Sequence, residues 1–90
     1  MEISGWRQKI DELDLKLVEL LNERAMAAQA IGRLKRSTAM PIYEPDRERT
    51  IFANIAAANR GPLRDQDLQV IYKALIAVMR EIQGHEALDE

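Results

Sequence analysis

The stretch SGWRQKIDELDLKLVELLNERAMAAQAIGRLKRS, from Ser4 to Ser37, decides the fold. Trp6, Ile10, Leu13, Leu17, Leu20, Arg24, Ala27, Ile31 and Leu34 follow one another at spacings of 4, 3, 4, 3, 4, 3, 4 and 3. An uninterrupted heptad seam of this kind belongs to one long helix packed on other helices. Ser4 is its expected N-cap. A neighbouring row, Val18, Leu21, Ala25, Ala28 and Gly32, widens the apolar face, and its small residues allow another helix to come close. At ~1.5 Å per residue the stretch spans roughly 50 Å. A compact chain of 90 residues has a radius of gyration of only about 12 Å. Two shorter helices of the same chain cannot cover such a helix. Its apolar seam calls for a partner, and the simplest partner is a second copy, so a homodimer is expected. The alternative, a fold-back near Ala25 to Ala30, has no Pro or Gly to invite it.

Working outward, Pro41 and Pro45 bracket a break from Met40 to Glu44. Pro45 suits the first position of a second helix, with Asp46 and Glu48 in its acidic first turn. This helix runs to about Asn59, with Ile51, Phe52, Ile55 and Ala58 on one side, and Asn59-Arg60-Gly61-Pro62 stops it. A third helix starts near Arg64 and runs to about Gln83, with Gly84 as the expected stop. Its stripe is Leu68, Ile71, Tyr72, Leu75, Met79 and Ile82. The fold class is therefore all-α, one long and two shorter helices, with residues 1–90 as a single domain.

Composition agrees and narrows the function. Hydrophobic residues are 47% and charged residues 31%, a globular balance, with only four aromatics, too few for an all-β fold. A net charge of −2 argues against a strongly basic nucleic-acid binder. The absence of cysteine removes disulfides, thiolate catalysis and Cys-ligated metals. The single histidine, His85, makes a His-based metal site within one chain improbable. The longest apolar run, Ala74 to Met79, falls far short of the ~20 residues a membrane helix needs. Charges at Glu2 and Arg7 break any signal-peptide pattern. A soluble cytoplasmic protein with no membrane or nucleic-acid partner is the expectation.

Several polar residues do not fit a purely structural helix. Arg24 occupies the apolar seam, and its helical neighbours are Leu20, Leu21, Ala27 and Ala28, so no carboxylate stands three or four residues away. It is either a snorkelling arginine or one that meets an anion. Lys35 follows eleven residues later, about 20° from the same face and roughly 16 Å further along. The two could stand at opposite ends of one cavity, although a lysine near a helix C-terminus has a plain electrostatic use as well. Arg7 lies about 100° off the Arg24 face and reads as a surface arginine unless a second chain's cavity receives it. The charges from Glu44 through Asp46-Arg47-Glu48-Arg49 read first as a solvated helix start, and Gln83, four residues after Met79, as a structural helix-end residue. There is no Ser-His-Asp set, no paired-carboxylate signature, no glycine-rich phosphate loop and no metal set. An enzyme built from these residues clamps an anion and stabilises charge, and rearrangement of a small dianion fits that limit.

These pieces resemble the all-helical class of chorismate mutase. The likeness covers Trp6 to about Gln83: Arg7-Gln-Lys-Ile-Asp-Glu-Leu-Asp14, Leu20-Leu-Asn-Glu-Arg24, Ile31-Gly32 with Lys35, Pro41 through Asp46-Arg47-Glu48-Arg49, and Arg80-Glu81-Ile82-Gln83. The order and spacing of the pieces carry it, no single one being specific. It implies conversion of chorismate to prephenate on the route to phenylalanine and tyrosine. It also implies an intertwined homodimer whose active sites draw on both chains, and no cofactor. By resemblance, Arg7 crosses from the partner chain onto a substrate carboxylate, and Arg24 holds a carboxylate within the chain. Lys35 contacts a carboxylate and the ether oxygen of the breaking bond. Arg47 is an additional arginine, Glu48 accepts from the substrate hydroxyl, Glu44 lies near that hydroxyl, and Gln83 donates to the ether oxygen. One position departs: many relatives carry a substrate-contacting serine where this chain has Met79, and a thioether cannot donate a hydrogen bond. An isochorismate–pyruvate lyase on the same fold and a non-catalytic helical dimerisation module are the alternatives. Ninety residues leave no room for an effector-binding domain, so built-in feedback control is not expected. The resemblance leaves open docking by another shikimate-pathway enzyme.

Overall fold

The computed structural model describes residues 1–88. Three helices account for nearly all of them: α1 (Ile3–Thr38), α2 (Pro45–Ala58) and α3 (Asp65–Leu88). Helix α1 is continuous across Ala25 to Ala30, where nothing breaks its hydrogen-bond ladder. It begins two residues earlier than the capping signal suggests. Glu2 takes the cap position, its carbonyl accepting from the Trp6 N–H at 3.1 Å, and Ser4 falls inside the first turn instead of capping it. At the other end Ala39 turns left-handed, with φ 57°, and the Met40 N–H returns to the Lys35 carbonyl at 3.1 Å.

The turn between α2 and α3 is organised by Asn59. Its side-chain amide donates to the Leu63 carbonyl and to Asp65 Oδ1, both at 2.8 Å, while its Oδ1 accepts from the Gly61 N–H at 3.0 Å. Gly61 takes a φ of 71°, which glycine adopts without steric cost. Asp67 then accepts from the Arg64 backbone N–H and side chain, one half of a capping box at the start of α3.

Gly84 does not stop α3, which runs on to Leu88. A glycine inside a helix costs only about 1 kcal/mol against alanine, and packing outweighs that here. The last turns of α3 lie tightly on α1, and Arg33 pairs with Glu86 at 3.3 Å. The close approach is made at Gly32, where any Cβ would stand 2.8 Å from the Gln83 carbonyl oxygen.

Helices α1 and α3 form the main packed pair, α2 leans on α3 alone, and no packing joins α1 to α2 among the described residues. The chain is consequently long and thin, 53 × 26 × 15 Å with a radius of gyration of 16.1 Å, against the ~12 Å of a compact chain of this length. The small-residue row of α1, not its heptad seam, faces inward: Ala28, Gly32 and Lys35 are the buried residues of α1. The seam stays open to solvent, from Trp6 through Leu20, which is 60% exposed, to Leu34 at 65%. Among the described residues the buried apolar side chains are Ala28, Ile76 and Met79. No helix among the described residues is long and apolar enough to cross a membrane.

Candidate active site

Because α2 touches α3 but not α1, a cleft remains between α1 and α2 with α3 as its floor. Its volume is about 350 Å³, within the range of roughly 300–1,000 Å³ typical of small-molecule sites. Each element contributes through its own periodicity. Helix α1 presents Arg24, Ala27, Ala28, Ile31 and Lys35, one stripe at spacings of three, one, three and four. Helix α3 presents Ile76, Met79, Arg80 and Gln83. Helix α2 contributes Arg47, Glu48 and Ile51, and the connecting segment adds Ile42 and Glu44.

The polar groups form two clusters. Lys35 is only 5% exposed, and its ammonium donates to Glu44 Oε1 at 2.6 Å, to Gln83 Oε1 at 2.9 Å and to the Ile42 carbonyl at 3.1 Å. Three donors thus meet three acceptors, which is how a buried ammonium is tolerated. Lysine can only donate, so the Gln83 amide must turn its oxygen to Lys35, leaving its two N–H groups free for another acceptor. In the second cluster Arg80 donates to Glu48 Oε2 at 2.7 Å and lies over the Tyr43 ring, 4.8 Å from the centroid. Arg24 and Arg47 border the same cleft, and neither has an ion-pair or hydrogen-bond partner among the described residues. Four cations and two carboxylates line the cleft, a formal charge of +2.

Beyond Arg24 the cleft gives way to an apolar groove of about 340 Å³, lined by Leu17, Leu20 and Leu21 of α1 and by Ile71, Tyr72 and Leu75 of α3. Arg24 borders both.

The sequence pattern described as chorismate mutase type II matches residues 6–84. The chain belongs to this family. The bifunctional chorismate mutase/prephenate dehydratase of Aquifex aeolicus is 35% identical over 86 residues, which cover 91% of this chain and 24% of that protein. The chorismate mutase of Methanocaldococcus jannaschii is 31% identical over 78 residues, 86% of this chain and 79% of that one. The chain therefore spans about a quarter of the length of the bifunctional relatives and most of the single-function one. A solved structure of chorismate mutase (form II) from Thermus thermophilus matches with a TM-score of 0.89 at 29% identity, covering 91% of this chain and 93% of that one. The all-helical fold with one long helix is thus shared with the Thermus thermophilus chorismate mutase.

Against that family background, the cleft gathers Arg24, Lys35, Glu44, Arg47, Glu48, Met79 and Gln83. Arg7 is not among them. It lies exposed on the first turns of α1, seventeen residues before Arg24 and so roughly 25 Å along the helix. Met79 is both a cleft residue and one of the buried apolar side chains. The sequence pattern does not mark Arg80 as a site residue. The α3 stripe read from hydrophobicity follows Leu75 and Met79, whereas the face that meets the cleft is rotated toward Ile76, Arg80 and Gln83. The available signal was spacing: Arg80 sits four residues after Ile76 and three before Gln83.

Proposed function

We propose that this chain converts chorismate to prephenate, residues 1–90 acting as a single chorismate mutase domain in the cytoplasm. The observation that carries the reading is the charge arrangement of the cleft. Glu44 and Glu48 are matched by Lys35 and Arg80, and Arg24 and Arg47 are left for the two carboxylates of a dianion. Positioned arginines would hold the enolpyruvyl arm folded over the ring, converting a floppy molecule into a reactive conformer.

Breaking the ether bond places partial negative charge on its oxygen. Gln83 would meet that oxygen with an amide N–H, its orientation held by Lys35, and Lys35 would add charge from the same side. Lys35 would exchange its contact with Glu44, which is 39% exposed, for the substrate. Glu48 keeps Oε1 available for the substrate hydroxyl while Oε2 takes Arg80. These contacts strengthen as charge develops, so they lower the barrier rather than only tightening binding. An acceleration of ~10⁶ requires about 8 kcal/mol, within reach of orientation and electrostatic stabilisation combined.

The proposal includes a homodimer with shared sites. The exposed seam of α1 and the apolar groove beside Arg24 support it. A second copy's α1 laid in that groove would bury both seams and carry its Arg7 toward the cleft. Mixing inactive Arg7→Ala chains with inactive Lys35→Ala chains would then restore activity, because one site of the mixed dimer holds both intact residues. No recovery after verified subunit exchange would count against sharing.

The deciding experiment supplies purified protein with chorismate and, separately, with isochorismate, and identifies the products. Prephenate from chorismate is expected. Salicylate and pyruvate from isochorismate with little prephenate would replace the mutase reading by a lyase. Turnover of neither would leave a helical dimerisation module.

A further inference from the structure

Arg80 ties both α2 and the connecting segment to α3. Its guanidinium reaches Glu48 on α2 at 2.7 Å and stacks at 4.8 Å on Tyr43, in the segment that joins α1 to α2. Among the described residues no other ion pair links α2 to α3. Helix α2 needs such a tie, since it carries no buried residue and does not pack on α1. Arg80 Nε is enclosed without a hydrogen-bond partner, while its Nη2 donates to Glu48.

We infer that Arg80 is a positioning residue for Glu48, with Tyr43 as the plate on which its guanidinium rests. The inference builds on the reading of the cleft as a chorismate site. A free carboxylate beside a dianion repels it. Arg80 offsets that charge and occupies Oε2, so that Oε1 alone faces a substrate hydroxyl. The planar guanidinium suits both tasks, because its edge donates while its face stacks. With its charge matched by Glu48, Arg80 has less to give a substrate carboxylate than Arg24 or Arg47, which have no partner among the described residues.

The test compares chorismate with an analogue of the same dianion in which hydrogen replaces the hydroxyl. Arg80→Gln is expected to lower kcat/KM for chorismate on the order of 10- to 100-fold, the scale of losing a charged hydrogen bond. Arg80→Lys recovers part of this, and Tyr43→Leu shows a smaller loss of the same kind. On the analogue, Arg80→Gln loses distinctly less, on the order of 3-fold, because only the uncovered Glu48 charge and not the hydroxyl contact is affected, and in a Glu48→Gln background Arg80→Gln costs no more on chorismate than on the analogue. Circular dichroism and melting of each variant establish folding. If Arg80→Gln does not fold, Arg80→Lys and Tyr43→Leu carry the two-substrate comparison. Equal losses on both substrates would mean that Arg80 reads substrate charge directly, and an unchanged rate would mean it does neither; each overturns the inference. A parent chain that leaves chorismate unchanged fails the site reading itself, and this inference falls with it.

Discussion

Gly32→Ala is the smallest change that should disturb both the packing and the chemistry. The new Cβ would stand 2.8 Å from the Gln83 carbonyl oxygen, 2.9 Å from Gln83 Cα and 2.9 Å from Glu86 Cβ. Comfortable contact needs about 3.5 Å, so the helices must part by roughly 0.7 Å. Two of the three obstructing atoms are backbone, and no rotamer change relieves them. Overpacking of this kind costs about 1–3 kcal/mol, and the better helix propensity of alanine returns about 1 kcal/mol. The expected net loss is about 1 kcal/mol, a fall in Tm of about 4–8 °C for a domain of this size. The same displacement would stretch the Lys35–Gln83 hydrogen bond, now 2.9 Å, toward roughly 3.6 Å, past useful geometry, with kcat falling about tenfold. Gly84→Ala is the control, since its Cβ meets nothing within 4 Å. It should gain up to about 1 kcal/mol at unchanged activity. Urea unfolding at one fixed chain concentration and initial rates with chorismate measure both effects. A Gly32→Ala chain as stable and as active as the parent would refute the reasoning.

Four further outcomes are expected. Arg24→Ala should leave Tm nearly unchanged, because no partner is stranded, while kcat/KM for chorismate falls on the order of 100-fold. Met79→Ser should leave KM unchanged or lower it by restoring a hydroxyl donor. Because Met79 is buried, the same change costs about 2 kcal/mol or more in urea unfolding, and a large rise in KM would sink the first half. Ala39→Gly should stabilise the chain by about 1 kcal/mol, since a left-handed alanine carries strain that glycine lacks; an unchanged or lower unfolding midpoint would contradict this. The Arg64 side chain holds the Asp67 carboxyl below its usual range. Asp67→Asn should therefore lower Tm slightly at neutral pH. The difference is full above about pH 4 and fades as pH falls through the depressed value in the folded chain, which melting curves at pH 7 and pH 2.5 would check.

Much of the architecture was legible because local physics sets it. The breaks at Pro41 to Pro45 and at Asn59 to Pro62 come from backbone geometry that no packing overrides. Periodicity also placed Arg24 and Lys35 on one face, and both border the cleft. Gly84 reads as a stop along the chain, yet its small propensity cost yields to the packing of α3 on α1. Ser4 reads as a cap, but the chain is already helical one residue before it. Arg80 escaped because a charged residue beside an apolar stripe looks like solvent-facing decoration until the opposite wall of the cleft is known.

By itself the sequence determined that this is a three-helix chain with one helix too long for its own partners, and the likeness of its motifs pointed to the chorismate mutases. The tertiary structure decided which of the two apolar rows of α1 is covered. Both rows look equally suited to burial along the chain. Gly32 admits α3 to within a Cβ's width, so the small-residue row takes the intramolecular contact and draws Lys35 against Gln83, while the bulkier heptad seam is left facing outward. Distance of closest approach is a property of two helices together, and no one-dimensional pattern contains it.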